Sequence, residues 1–495
     1  MRDSVRIGLY SAGLRAYWDQ FEGLRERLLG YNAFIAEKLG EYGEVCNFGL
    51  VDTETAGRRA GAFFNEHNVD IIFAHSATYF TSSCALPVHQ ACGAPAVWLN
   101  LQPAARMNYP VTGTGEWLAH CTGCPVPEAS NAFERAGIPF RAVNGLLGMD
   151  RTPAISKADE NTAGLPQARR AWEEIGQWAR AARVKHALAG ARFGFLGGNY
   201  SGMLDMYSDF TLLQAMLGIH VELLEMCDLD SELKKVTPAE VGEKRREVGR
   251  FFVISGDSPS DPIARRPTEE QLDWACRVAV AQERLVRSRE LDALSYYYHG
   301  AEGNEYEKLQ SGFIVGHSLL TAKGVPCAGE GDMKTCVAMK IADILGLGGS
   351  FTEIVAMDYV SNTMLMGHDG PFHISIADGK PVLRGMGVFH GKRGSGVSVE
   401  ANVKPGPVTT LGLTQTGRGA LRLIAGEGTA VKLPILTIGN TQTHVDFGMP
   451  LDDYMDEWFA LAPTHHCAMS VGRNARQFEK VADLMGVEYA KVAGK

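Results

Sequence analysis

The chain has 495 residues, with 48 Lys and Arg against 57 Asp and Glu, and a formal net charge of −9. This length exceeds a single hydrophobic core, which stops growing near ~250–300 residues, and so predicts two or three domains. The negative charge argues against a nucleic-acid partner and against adhesion to anionic membrane surfaces.

The amino-terminal segment MRDSVRIGLYSAG is charged and enters a strand-like run at once, without the apolar core of a signal peptide. No uncharged stretch approaches the ~20 residues of a membrane span. We therefore expect a cytoplasmic protein with no membrane partner.

The ten cysteines are scattered along the chain, as is typical of reduced thiols. The one close pair is Cys121 and Cys124 in CTGC. A zinc site would need a second pair or histidines at ligand spacing, and the segment PVPEAS supplies neither. A thioredoxin-like motif should open a helix after a strand, which the prolines fit poorly. We interpret the pair as two ordinary thiols.

Strand-like and helix-like segments alternate over the first 188 residues. The apolar runs VRIGLYS, VDIIFAHS and PAVWLNLQ indicate buried parallel strands, because strands covered on both faces lose polar alternation. The helical run LPQARRAWEEIGQWARAARVKHAL closes the segment. We predict a Rossmann-like α/β domain over residues 1–188.

The pattern then restarts with a strand, a glycine turn and a helix in ARFGFLGGNYSGMLDMYSDFTLLQAMLG. The turn FLGGNYSG lacks the G-x-G-x-x-G spacing of a dinucleotide loop. A charged helical stretch and the strand-like LDALSYYYHG follow. We predict a second Rossmann-like α/β domain over residues 189–350.

From residue 351 the segments become short, β-rich and punctuated by glycine, as in VTTLGLTQTGRGALRLIAGEGTAV. This pattern is typical of an antiparallel sheet or barrel. We predict a β-rich, barrel-like and mostly antiparallel domain over residues 351–495, ending in the helix NARQFEKVADLMGVEY.

The stretch AGEGDMKTCVAMKIADIL places two acids among glycines before a helix. Asp332 suits the helix N-cap, where a carboxylate accepts a backbone N–H. Glu330 is not needed for capping, and Gly329 and Gly331 allow unusual dihedral angles and close approach of another group. Glu330 is either a solvated loop acid or a functional carboxylate.

Acids and histidines recur in two later blocks. GGSFTEIVAMDYVSNTMLMGHDGPFHI contains Glu353, Asp358, His368 and His373. LAPTHHCAMSVG places His465 beside His466. Since neighbours on an extended chain point to opposite sides, one imidazole can bind metal while the other faces packing or substrate.

Together these blocks offer carboxylates and imidazoles but no evident thiolate ligands. Such oxygen and nitrogen sets suit Mn²⁺, and also Mg²⁺, Fe²⁺ or Co²⁺. A hydrated divalent ion with two carboxylates fits proton transfer beside a carbonyl group.

These blocks, with LTQTGRGALRLI and the early segment YWDQFEGLRERL, resemble the L-arabinose isomerase and L-fucose isomerase superfamily in order along the chain. The resemblance implies two α/β domains and a β-rich domain. It also implies a Mn²⁺-dependent enzyme that interconverts an aldose and a ketose through a cis-enediol.

Carried over by motif, the resemblance implies that four residues bind the metal: Glu330, Asp358, His368 and His466. Glu330 and Asp358 would form the acid/base pair. Met333 replaces the family's tryptophan, and the loop after Asp358 is shorter than in arabinose isomerases. Glu353 is therefore the alternative second carboxylate, and His373 the alternative to His368.

The resemblance further implies a homo-oligomer, trimer-based or hexameric, with active sites between subunits. Arg15, Trp18 and Gln20 follow the first strand, where ligand-facing loops of α/β domains gather, and are candidate substrate-binding residues. His465 is a fourth. Arg15 with Lys392 and Arg393 could favour an anionic sugar.

Two other functions fit parts of the sequence. A non-catalytic sugar-binding protein also has two α/β lobes, but lacks a reason for the clustered acids and histidines. A metal-dependent epimerase or aldolase would share the ligands and an enediolate. The sequence does not identify the sugar.

Overall fold

A computed structural model describes residues 4–258, 261, 263–301, 303–386 and 396–492. The chain divides into two compact units, Met1–His186 and Ala187–Lys495. The predicted boundaries of three domains, at residues 188 and 350, stay a prediction.

The first unit is built on a parallel five-stranded sheet of order β2-β1-β3-β4-β5. Its strands are β1 (Arg6–Ala12), β2 (Glu44–Val51), β3 (Ile71–Ser76), β4 (Ala96–Gln102) and β5 (Ala142–Leu146). Its helices are α1 (Leu24–Leu39), α2 (Glu54–Glu66), α3 (Ser82–Ala91), α4 (Thr114–His120), α5 (Pro125–Arg135) and α6 (Pro166–Leu188). Every residue of β3 is buried, including the polar His75 and Ser76 at its end, as expected of a strand covered on both faces.

The second unit begins with a smaller parallel sheet of order β10-β9-β6-β7. Its strands are β6 (Arg192–Gly197), β7 (His220–Leu224), β9 (Ala293–Tyr297) and β10 (Cys327–Ala328). The helices of this region are α7 (Phe210–Leu217), α8 (Met226–Leu233), α9 (Pro238–Phe251), α10 (Glu269–Ser288), α11 (Glu305–Gln310), α12 (Phe313–Ala322) and α13 (Met333–Ile344). The predicted sequence of two α/β folds is confirmed.

The rest of the second unit is β-rich and largely antiparallel. A seven-stranded sheet contains β11 (Gly348–Asp358), β12 (Thr363–His368), β15 (Gly406–Gln415), β16 (Leu421–Val431), β17 (Thr441–Asp446), β18 (His466–Val471) and β19 (Glu488–Lys491). Because β15 pairs with both β18 and β16, six of these strands close into a ring. The predicted barrel-like fold is confirmed.

A three-stranded sheet of β8 (Val253–Ile254), β13 (Val382–Met386) and β14 (Gly396–Glu400) completes the β structure. The remaining helices are α14 (Leu451–Ala460) and α15 (Ala475–Met485). The prediction that the terminal helix reaches Tyr489 is wrong, because α15 ends at Met485. Gly486, at φ 69°, ends α15 in the left-handed conformation, and the chain continues as β19.

Over the described ranges, no helix combines the length and the apolar character needed to cross a membrane.

A buried ion network ties α1 of the first unit to its later loops. The Arg27 guanidinium donates to Glu116 Oε2 at 2.7 Å and also to the Glu160 carboxylate. The Tyr31 hydroxyl donates to Glu160 at 2.7 Å. The side chains of Arg27, Glu116 and Glu160 are at most 4% exposed, so each charge depends on the others for compensation.

Arg27→Ala should therefore leave two buried carboxylates without their cation. We expect a loss of about 3–5 kcal/mol from the free energy of unfolding of this unit. Urea unfolding followed by circular dichroism measures it. Arg58→Ala is the matched control, because the Arg58–Glu54 pair is 67% and 58% exposed. Equal effects of the two substitutions would contradict a structural role for the buried network.

Candidate functional site

Glu330 has an uncommon backbone conformation. It lies in the short turn Gly329–Gly331 between β10 and α13, with φ 61° and ψ 10°. Non-glycine residues rarely adopt this left-handed region, and those that do are held there by their surroundings.

The glycine turn after β6 provides those surroundings. The Tyr200 backbone N–H donates to the Glu330 carbonyl oxygen at 2.9 Å, and Asn199 Nδ2 donates to the Gly331 carbonyl oxygen at 2.8 Å. A Cβ atom on Gly331 would lie 2.3 Å from the carbonyl oxygen of Gly198. Glycine is therefore required at position 331 for the two turns to meet.

Asp332 caps α13, as predicted. Its Oδ1 accepts from the Thr335 backbone N–H at 2.9 Å, and its Oδ2 accepts from the Thr335 hydroxyl at 2.8 Å. Oδ2 also lies 3.0 Å from His466 Nδ1. Burial favours the neutral acid, but the contact with His466 outweighs it and lowers the pKa of Asp332. A single buried carboxylate thus serves both the helix and the histidine.

The barrel strands bring the histidines to the same place. β11 lies between β18 and β12, and Glu353 pairs with His466 on one side and Gly367 on the other. His368 follows Gly367 at the end of β12. His466 Nε2 and His368 Nε2 are consequently 3.2 Å apart, with both rings buried.

Carboxylates orient both imidazole rings. His466 Nδ1 faces Asp332, and His368 Nδ1 lies 3.0 Å from Asp369 Oδ1. If each Nδ1–H donates to its carboxylate, each Nε2 presents a lone pair to the other. Two lone pairs at 3.2 Å repel unless a proton or a metal cation lies between them.

The pKa values of the two histidines shift in opposite directions. Burial lowers the pKa of His466 to about 4. Burial would also lower the pKa of His368, but the hydrogen bond and charge of Asp369, with Glu353 and Glu330, raise it overall. His466 is therefore a neutral ligand at ordinary pH.

The donor atoms fit a divalent metal. Glu330 Oε1 lies 3.9 Å from His368 Nε2, and Glu330 Oε2 lies 3.8 Å from His466 Nε2. Glu353, His368 and His466 also offer ligand atoms within 4.8 Å of one another. Carboxylate oxygen with imidazole nitrogen suits Mn²⁺ and its neighbours, and these four residues would hold such an ion.

His465 lies beside its neighbour rather than opposite to it. The two ring centroids are 3.7 Å apart, and His465 Nε2 is 4.0 Å from Glu330 Oε2. Asp205 Oδ2 accepts from the His465 backbone N–H at 3.0 Å and lies 2.7 Å from His465 Nδ1. The prediction of opposite faces is wrong because β18 begins at His466, so strand alternation does not extend to His465.

The structure does not bring Asp358 to this cluster. Asp358 ends β11, five residues beyond Glu353, which on a strand is roughly 16 Å. Its carboxylate accepts from the backbone N–H groups of Val360 and Ser361, at 3.0 and 3.1 Å, which lowers its pKa. Asp358 stabilises the hairpin turn, and its role as second carboxylate stays a prediction, while Glu353, the alternative, lies beside the histidines.

His373 also lies elsewhere. Its Nδ1 is 2.9 Å from the Ser375 hydroxyl, and its backbone N–H donates to Ser350 Oγ at 3.2 Å. The structure thus brings together Glu330, His368 and His466 from the predicted set, with Glu353 from the alternatives.

A cavity of about 140 Å³ opens onto this cluster. Glu330, His368 and Asp369 form one wall. Three consecutive tyrosines at the end of β9 and the loop after it, Tyr296, Tyr297 and Tyr298, form another. Phe351 packs against both imidazoles, at 4.7 Å from His368 and 4.3 Å from His466 between ring centroids. The two imidazoles therefore pack against an apolar ring, and Glu330 and His368 also face a cavity lined by tyrosines.

Sequence reasoning missed the carboxylates that orient the imidazoles. Asp369 directly follows His368, so the sequence itself indicates a carboxylate near this imidazole. Asp332 was assigned only to helix capping. Asp205 is 260 residues before His465, and no local pattern connects them.

The predicted residues of the amino-terminal loop belong to the first unit. Trp18 Nε1 donates to Asp52 Oδ2 at 2.7 Å, and Gln20 Nε2 donates to the Ala16 carbonyl oxygen at 2.5 Å. Arg15 is exposed. Their role in substrate binding stays a prediction, as do the homo-oligomer, its inter-subunit sites and the cytoplasmic location. Lys392 and Arg393 lie outside the described residues.

Known proteins resemble this chain over most of its length. An L-arabinose isomerase of Nocardioides sp. is 25% identical over 362 residues, which cover 71% of this chain and 68% of that protein. An L-arabinose isomerase of Herpetosiphon aurantiacus is 24% identical over 65% of this chain and 64% of its own length. A solved putative UDP-N-acetylglucosamine 2-epimerase from Listeria monocytogenes covers 66% of this chain and 79% of its own, at 10% identity, with a TM-score of 0.15 that carries no inference.

The strongest regional agreement lies in the barrel. The profile of the L-arabinose isomerase C-terminal domain matches residues 348–488, from the first residue of β11 to the first of β19. The matched region contains Glu353, His368 and His466 on adjacent strands. Residues 348–488 are therefore similar to the C-terminal domain of L-arabinose isomerases.

Proposed function

We propose that the protein is a metal-dependent aldose–ketose isomerase acting on a monosaccharide through a cis-enediol. The observation that supports this most directly is the convergence of two carboxylates, Glu330 and Glu353, with two oriented imidazoles, His368 and His466. The relatives named above as L-arabinose isomerases also support it.

The metal and the residues have separate tasks. When bound, Mn²⁺ or a similar ion would polarise the carbonyl oxygen and the adjacent hydroxyl of the open-chain sugar. Asp332 and Asp369 lie beside the Nδ1 atoms of His466 and His368, which would leave each Nε2 available to hold the ion. Glu330, held by its strained turn between β10 and α13, would reach the same ion from outside the barrel strands.

The carboxylates move the protons. One carboxylate, Glu330 in our proposal, removes the proton from C2 of the aldose while the C2–C1 bond gains double-bond character, giving the enediol. The carboxylate exchanges this proton with solvent and returns a proton to C1, and the O2 hydroxyl proton passes to O1, so the ketose forms with no net gain or loss of atoms. Glu353 is the second carboxylate that can accept and return the hydroxyl proton.

The described lining of the cavity suits the neutral part of a sugar. Glu330 and Glu307 add negative charge to it. Tyrosine hydroxyls and aromatic faces suit the mixed polar and apolar surface of a sugar.

The first test is a Mn²⁺-supplemented screen of neutral and acidic aldoses in D₂O, with products identified by NMR. An isomerase gives a ketose deuterated at one carbon, whereas an epimerase gives an aldose and an aldolase gives fragments. Glu330→Gln should lower the rate by roughly 10²–10⁴-fold, because the amide cannot take the C2 proton. Near-normal turnover by this variant, or no bound metal and no product from any aldose, would sink the proposal.

A second test separates the two candidate carboxylates. Glu353→Gln should weaken Mn²⁺ binding by at least roughly 10–100-fold, which is the loss expected when a residue that only hydrogen-bonds to a metal ligand is replaced. Asp358→Asn is the matched control, because an asparagine oxygen can still accept from Val360 and Ser361. Titration calorimetry with Mn²⁺ measures both variants. Normal binding by Glu353→Gln together with lost binding by Asp358→Asn would restore Asp358 to the ligand set.

A third test addresses the orientation of His466. In Asp332→Asn, the oxygen can still cap α13, but the amide can donate to His466 Nδ1 and move the ring proton to Nε2. We expect Mn²⁺ affinity to fall roughly 10–100-fold while the helix content stays unchanged. Calorimetry and circular dichroism measure these two properties. A parallel loss of helix would assign Asp332 to folding alone.

A further inference from the structure

Cys121 and Cys124 have their sulfur atoms in direct contact. The Sγ–Sγ distance is 2.9 Å, with Cys121 partly exposed and Cys124 exposed. The pair lies in the first unit, between the end of α4 and the start of α5. The prediction that the prolines prevent a helix here is wrong, since Pro125 occupies the first turn of α5, where proline is favoured.

Side chains at the carboxyl ends of two strands anchor the segment before the second cysteine. Ser76 Oγ donates to the Thr122 carbonyl oxygen, and Thr78 Oγ1 donates to the Leu118 carbonyl oxygen, at 2.5 and 2.7 Å. Gln102 Nε2 donates to the His120 carbonyl oxygen at 3.1 Å and to Thr122 Oγ1 at 2.6 Å. The edge of the sheet therefore holds the two thiols in contact. Forming a disulfide between them would cost little further conformational entropy.

The surroundings of the other cysteines differ. Of the ten cysteines, seven are buried, and the remaining accessible thiol is Cys227 in α8 of the second unit. Only accessible thiols exchange readily with a dissolved disulfide.

We propose that Cys121 and Cys124 are a reversible disulfide site that exchanges with low-molecular-weight disulfides of the glutathione class. The thiolate of one cysteine attacks the dissolved disulfide, forming a mixed disulfide and releasing one thiolate. The second cysteine, after losing its proton, attacks the protein sulfur of the mixed disulfide and releases the second thiol. Two protein thiols are oxidised and one dissolved disulfide is reduced to two thiols.

The test uses the full-length protein equilibrated with glutathione disulfide. Titration of accessible thiols under native conditions should show that both thiols of the pair are lost, and peptide mapping should count Cys227 separately as a free thiol or a glutathione adduct. Peptide mapping should find Cys121 joined to Cys124, and dithiothreitol should restore both thiols. An unchanged pair, or glutathione left attached at either position, would overturn the proposal without any variant being needed.

Serine variants give the matched comparison. Cys121→Ser and Cys124→Ser each lack the resolving thiol, so we expect the glutathione adduct to be roughly tenfold or more abundant than in the unaltered protein. Cys227→Ser should form the disulfide as the unaltered protein does. Equal adduct levels in all four proteins would show that the two sulfurs do not cooperate.

Discussion

The candidate site depends on one buried carboxylate, Asp332, which is shared between a helix and a histidine. Its two oxygens hold the first turn of α13 and His466 Nδ1. An isolated charge at 0% exposure would be very unfavourable, so Asp332 must keep all of these partners. The position of α13 and the direction of the His466 lone pair are therefore fixed by the same interaction. Since Glu330 precedes this cap by two residues, its carboxylate is fixed as well.

Two different architectures meet at that point within the second unit. The parallel sheet contributes Glu330 through a strained turn, and the barrel contributes Glu353, His368 and His466 through three adjacent antiparallel strands. Strand pairing places Glu353 opposite His466 and opposite Gly367, with His368 one residue further along β12. A slip of β18 by one residue would turn the His466 side chain away. The turn has no such ladder and relies on Asn199, Tyr200 and the absence of a side chain at Gly331.

The sequence predicts much of this arrangement because its signals are local. Apolar strand runs, the glycine-rich β pattern and the Asp332 cap each depend on a few consecutive residues. The sequence distinguishes Glu330 as the acid that helix capping does not require. In the structure, Glu330 has a left-handed backbone conformation between two glycines. The resemblance to sugar isomerases added the partners His368 and His466, which local patterns leave ambiguous.

Motif likeness does not include strand register, so it leaves the choice of the second carboxylate open. Asp358 and Glu353 lie on the same strand and in the same block, and only the pairing of β11 with β18 and β12 separates them. The orienting acids were missed for a related reason: Asp205 and His465 are joined only by tertiary structure. Both adjacent histidines now have the same organisation, a carboxylate at Nδ1 and an Nε2 near Glu330. Glu330 thus lies within reach of both imidazoles, His465 and His466.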